Sequence, residues 1–195
     1  SFGTTALAGL LLWILEAAFP FFLGRAQHGF HTLKNFSLAL LNLLILIPGS
    51  FFTAFALEKA SAVWAGAKAF HLPFALQTLL IILLIDLYMY AWHRANHRVD
   101  FLWRFHAVHH SDPEMDVSTA WRFHFVEIFL SEMIRLPALM LIGAGIQELL
   151  IYTIFMTPVI ALQHSNLRLP DALDGAIQKI FPSPIWRQVW GKTCR

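Results

Sequence analysis

Long apolar stretches separated by short polar ones organise this chain. Nearly uninterrupted runs cover 4–23, 33–57 and 72–92, each close to the ~20 residues a helix needs to cross a bilayer. Two further runs, 125–142 and 149–162, are less clean, because Glu127, Glu132 and Arg135 punctuate the first of them. An uncompensated charge at mid-bilayer costs about 2.5–3.5 kcal/mol on insertion scales. The start of this fourth run is therefore expected at the interface or turned inward, with Glu132 and Arg135 paired across i, i+3. Gly143, Ala144 and Gly145 predict a tight turn, which makes the fourth and fifth runs an antiparallel pair entering the membrane only part way. Pro48 with Gly49, and Pro158, predict kinks of the kind that neighbouring helices accommodate in a membrane. With no internal repeat and no composition shift, the pattern predicts one all-α integral membrane bundle over residues 1–195.

Composition sharpens this picture. At 57% hydrophobic and 13% charged residues the chain is too apolar for an ordinary soluble domain, and a net charge of +2 gives no reason to invoke nucleic acid. Cys194 is the lone cysteine, which excludes an intrachain disulfide framework. The chain begins with Ser1 and no charged segment precedes the first run, which reads as a trimmed span rather than a signal peptide. Segments 24–34, 93–124 and 164–195 hold eleven of the fourteen Lys and Arg residues, whereas 58–71 holds Lys59 and Lys68. By the positive-inside rule those three segments face the cytosol, and the short loops favour a bacterial inner membrane.

Candidate chemistry is concentrated at the cytosolic end of the third run. Five of ten histidines fall in HRANH at 93–97 and HAVHH at 106–110. On a helix His93 and His97 share a face, as do His106, His109 and His110, so two faces meeting across a short turn would gather imidazoles at one point. Imidazole suits iron, zinc, copper or nickel, so the pattern names a class of ions. Histidines at a membrane boundary also sit simply among lipid headgroups, but chance places about one in an eighteen-residue window of this composition, and five are present at ligand spacing. No Glu follows His93 as in the HExxH of metalloproteases, which argues against hydrolysis. His164 and His124 lie on the same side as further candidate ligands, although His124 could equally serve Glu127 as a hydrogen-bond partner. His28 and His31 are expected to be interfacial, and His71, on the opposite side, is not expected to be a ligand. Asp86 precedes His93 by seven positions on the same face and could accept the second ring N–H of a ligand, or could hydrogen-bond a Tyr or Gln of a neighbouring helix. Asn96 and Asp112 are further candidates for orienting the ligands. Tyr88, Tyr90, Trp92, Trp103 and Trp121 fit an interfacial aromatic belt.

The strings DLYMYAWHRANH at 86–97 and LWRFHAVHHSD at 102–112, with Met115, resemble the first two histidine boxes of the fatty acid hydroxylase and sterol desaturase superfamily. RFH at 122–124 with Glu127, QHSN at 163–166 and Leu169-Pro170 are similar to further stretches of its bacterial branch, and Glu16 with Pro20 fits loosely. The resemblance implies a membrane-bound non-haem diiron oxygenase that uses O2 to hydroxylate or desaturate a lipid C–H position, on a sterol, a fatty acyl chain or a related lipid. It also implies an outside electron donor, whether a reductase, a ferredoxin or a cytochrome b5-like protein. Iron is the implied metal, and zinc is an ion the same imidazoles could carry on isolation.

One stretch departs from the family pattern. Its third box, HxxHH, would align near Arg187, Trp190 and Gly191, in a tail reading FPSPIWRQVWGKTCR at 181–195. The three histidines are missing there, which fits a C-terminally truncated or frame-shifted reading, a degenerate relative, or a site completed by another chain. The alternative function is accordingly a catalytically inactive membrane protein, metal-binding or structural. A transmembrane cytochrome b would instead place its histidines within facing spans, not bunched beyond the end of one.

Overall fold

The computed structural model describes residues 2–20, 28–112, 116–168, 170, 172 and 175. Among these residues six α-helices are bounded: α1 (Phe2–Ala18), α2 (His28–Ser61), α3 (Phe74–Arg98), α4 (Asp100–His110), α5 (Phe125–Ile142) and α6 (Ile146–His164). Short 3-10 helices occupy Gly66–Phe70 and Val117–Trp121. Among the described residues no strand forms, and one isolated antiparallel bridge joins Pro20 to Leu167. The all-α bundle expected from the sequence is what folds.

Among the described residues three stretches are long and apolar enough to cross a membrane: Gly29–Phe70, which takes in nearly all of α2, then α3 and α6. By length they differ from the expected runs in two ways. α6 reaches spanning length, and within the 17-residue α1 the described apolar stretch is Gly9–Ala18. α3 also continues past the apolar run to Arg98, so its last turns are polar and carry His93 and His97. Hydropathy marks where lipid contact stops, and the helix goes on until Val99 adopts an extended backbone (φ −98°, ψ 113°). Asp100 restarts it as α4, so a single residue separates the two histidine-bearing helices.

Because the solvent of this bundle is lipid, apolar side chains cover its outside. Leu44 and Phe51 of α2 and Phe155 of α6 are each at least 70% exposed, and the buried apolar core is small: Leu57, Ala67, Ile81, Ile85, Leu139, Ala144 and Tyr152. Close packing relies on small residues at the end away from the histidines. Gly143, in the left-handed region at φ 78°, ends α5 with its amide shared between Leu139 and Met140 carbonyls. Gly66, at φ 53°, packs directly on it, and a Cβ on either glycine would strike the other segment's backbone. The tight α5–α6 turn is thus made as expected, and it is also a docking point for the chain leaving α2. Pro48, Pro137 and Pro158 all lie inside continuous helices. Glu132 and Arg135 pair at 2.5 Å, as their i, i+3 spacing predicts.

At the other end, α1 clamps the segments that deliver the histidines. Glu16, 4% exposed, accepts the Val117 amide at 3.1 Å and the Asn166 amide at 2.9 Å through Oε2. One carboxylate thereby holds the α4–α5 connection and the residues just after His164 together. Buried amides at such positions need an acceptor, and a charged one makes the stronger bond.

Candidate metal centre

α3 and α4 meet in a V whose inner faces are imidazole. His93 and His97 stand one turn apart on α3 with their Nε2 atoms 3.1 Å apart, and His106 and His110 repeat the arrangement on α4 at 3.2 Å. The His93 ring lies 5.0 Å from that of His106, and the His97 ring 4.7 Å from that of His110. One donor atom from each of the four falls within 4.8 Å of all the others. Trp103 packs against the rings of His97 and His110 at 5.3 and 5.7 Å.

His109 turns another way. Its Nε2 meets the Nε2 of His164, from the end of α6, at 2.9 Å. Both rings are anchored through Nδ1, His109 donating to the Arg122 carbonyl at 3.2 Å and His164 to the Ile160 carbonyl at 2.7 Å. A carbonyl can only accept, so each Nδ1 carries the hydrogen and each Nε2 of a neutral ring presents a lone pair. Two lone pairs facing at this distance repel unless a cation lies between or beside them. That donor chemistry fits a metal ion, as does the four-histidine set, since imidazole nitrogens are ligands for iron, zinc and copper alike.

Protonation is suppressed where it would compete. Burial, followed by the neighbouring His106, His97 and His164, pushes the His110 imidazole down to about 4. His109 moves in the same direction, first through burial and then through His164, His110 and His106, and lies well below the usual histidine range. Both are neutral at pH 7, the form that binds metal.

Glu127, for which the sequence offers His124 as a partner, pairs with His106 instead. It is 5% exposed in the first turn of α5 and accepts the Nδ1 hydrogen of His106 at 2.7 Å, with His106 itself 1% exposed. Glu127 makes the contact with a candidate ligand ring that the sequence predicts for Asp86. Asp86 cannot reach His93, because seven residues of helix are ~10 Å of axial rise. It accepts instead from the Tyr152 hydroxyl at 3.2 Å, the helix-packing alternative. His124 does not turn toward the cluster: its Nδ1 caps α5 by accepting the Val126 amide at 3.1 Å, and its ring lies on Phe125 and Phe105. Asn96 is buried, with an Oδ1 that meets no hydrogen-bond partner among the described residues.

Asp112 belongs to a buried polar network beside the histidines. His31, expected to be interfacial, lies on α2 with Nε2 2.5 Å from Asp112 and Nδ1 3.2 Å from Asp116. Thr119 donates to Asp112 at 2.6 Å, and Asn35 donates to Asp112 at 3.2 Å and to Ser118 at 2.9 Å. Arg122 closes the network onto Asn35, Val108 and Ser111. Its own carbonyl is the one that orients His109, so the network fixes that ring indirectly. His71 caps the Gly66–Phe70 turn in the left-handed region and takes no part. The His28 side chain, Met115, and the tail with Arg187, Trp190 and Gly191 lie outside the described residues.

Comparison with known proteins agrees with this geometry. The fatty acid hydroxylase family model matches residues 78–187. The chain is 31% identical over 112 residues to ornithine lipid hydroxylase OlsE of Rhizobium tropici, covering 57% of this chain and 33% of that protein. It is 29% identical over 136 residues to alkylglycerol monooxygenase of Homo sapiens, covering 69% of this chain and 28% of that protein. The chain therefore spans about a third or less of the length of these curated relatives. No solved structure matches it. Since the matched stretch begins inside α3 and takes in each of the six converging histidines, the chain belongs to the fatty acid hydroxylase family.

Proposed function

We propose that this chain is the histidine-bearing membrane part of an O2-dependent lipid hydroxylase or desaturase that works with two non-haem iron ions. The observation that carries the reading is the convergence of His93, His97, His106 and His110 within 4.8 Å, beside the separate His109–His164 pair. The first four would hold one ion. His109 and His164 would begin the site of the second. Bound iron supplies the one-electron redox chemistry with O2 that amino-acid side chains lack.

The remaining tasks fall to the chain itself. Glu127 keeps the hydrogen of His106 on Nδ1 and so leaves Nε2 free. The carbonyls of Arg122 and Ile160 do the same for His109 and His164. Trp103 shields the α3–α4 face from water. The histidines sit at the end of a spanning helix, where a lipid can approach sideways without leaving the bilayer. Holding one carbon of a long chain near the metals is then a positioning task. The positive segments support a cytosolic position for this end, and the short loops support a bacterial inner membrane, an arrangement that would bring the histidines within reach of a reductase, ferredoxin or cytochrome b5-like donor. The two curated relatives, a lipid hydroxylase and a monooxygenase by name, support the reaction class.

Membranes containing the chain, given reductant, an electron-transfer partner and isotopically labelled dioxygen, should place labelled oxygen in lipid, and His106→Ala should abolish this. A second reading, metal held without turnover, has one observation in its favour: Arg187, Trp190 and Gly191 stand where the third box would supply histidines. Iron bound at full stoichiometry with no labelled lipid in any fraction would select it.

A further inference from the structure

Below the histidines α3 carries a polar residue in an unusual place. Asp86 lies at the centre of Phe74–Arg98, a helix long and apolar enough to span, yet it is exposed. Oδ1 accepts from Tyr152 of α6 at 3.2 Å, and Tyr152 is buried. Oδ2 receives no hydrogen bond among the described residues. Helix-to-helix adhesion accounts for the Tyr152 bond and leaves the open side of the carboxylate unexplained. At this depth a carboxyl group facing lipid is unfavourable unless a donor meets it.

Its position on the helix suggests what the donor belongs to. Residues 79, 83, 86, 90, 93 and 97 alternate steps of four and three and form one stripe along α3. Leu79, Leu83 and Tyr90 on that stripe are 52%, 57% and 37% exposed, while His93 and His97 at its upper end enter the candidate metal centre. The stripe is therefore a largely apolar path toward the histidines, interrupted by the Asp86 carboxylate and, one turn further on, by the Tyr90 hydroxyl, which already accepts from Arg94 at 3.1 Å.

We propose that a lipid chain lies along this stripe and that the Asp86–Tyr152 pair binds a hydroxyl or amide N–H carried on the chain, about 10 Å from the carbon presented at the histidines. Asp86 then acts as a positioning residue that selects lipids by the place of their polar group. The role of the histidines in this proposal rests on the oxygenase reading; the binding itself does not.

The test uses the full chain in nanodiscs, with a mid-chain hydroxy fatty acid and its unsubstituted parent each displacing a fluorescent fatty acid. The wild type is expected to hold the hydroxylated probe about tenfold more tightly, the worth of one hydrogen bond made away from water. Asp86→Leu should erase that preference and Tyr152→Phe should reduce it, with binding of the parent and bound metal unchanged, while Asp86→Asn should keep most of it. No preference in the wild type, or a preference that survives Asp86→Leu, overturns the proposal. So does an Asp86→Leu effect confined to oligomeric state, which would make a second copy of the chain the partner of the open carboxyl. If Asp86→Leu fails to fold, the wild-type preference and Tyr152→Phe decide the matter. Metal content measured on the same samples separates the two readings: metal-free protein that still prefers the hydroxylated probe keeps this site and removes the oxygenase.

Discussion

Glu127 is the residue on which the orientation of His106 depends. Its carboxylate and the ring are both buried, so their hydrogen bond works without competition from water. Glu127→Gln keeps the shape but loses the charge that makes His106 a better donor. It is expected to weaken metal affinity roughly 10- to 100-fold, read by competition with a chromogenic chelator, without unfolding the protein. His124 gives the contrasting case. As a helix cap outside the cluster, His124→Ala should leave metal stoichiometry unchanged and lower stability by about 1 kcal/mol in denaturant titrations. A matching loss of metal would put His124 back among the ligands.

At the scale of elements, the break at Val99 and the clasp between Gly66 and Gly143 set how helices meet. Both glycines combine a left-handed backbone with direct backbone contact, so neither can accept a side chain without displacement. Gly143→Ala and Gly66→Ala are each expected to destabilise by roughly 1–3 kcal/mol, seen as a lower thermal midpoint in detergent. The metal site lies at the opposite end and should keep its affinity in whatever fraction stays folded. Much at this scale was readable in the sequence, because it depends on short spacings. The i, i+4 pairs of HRANH and HAVHH, the Glu132–Arg135 pair and the Gly143–Gly145 turn are all local. What could not be read joins distant residues: Glu127 to His106 across 21 positions, His31 to Asp112 across 81, and Glu16 to Asn166 across 150. No periodicity encodes such pairs. Hydropathy also ended the third run at Trp92, since it registers lipid contact and not helix continuity.

As a whole the molecule is an apolar helical bundle for the membrane, with its imidazoles gathered at one end. Sidedness is open to a direct check. In a Cys194→Ser background, Lys34→Cys should react with an impermeant thiol reagent only from the cytosolic side and Lys59→Cys only from the other, since they lie near opposite ends of α2. The reverse pattern would turn the histidine face away from cytosolic electron donors.

Metal content of the purified full chain decides more than any other quantity. After anaerobic loading with ferrous iron and removal of excess, at least one tightly bound ion per chain is expected, lost in His97→Ala and His106→Ala but kept in His71→Ala. A wild-type protein that retains no stoichiometric iron, or an ion that survives His106→Ala undiminished, would contradict the proposed centre.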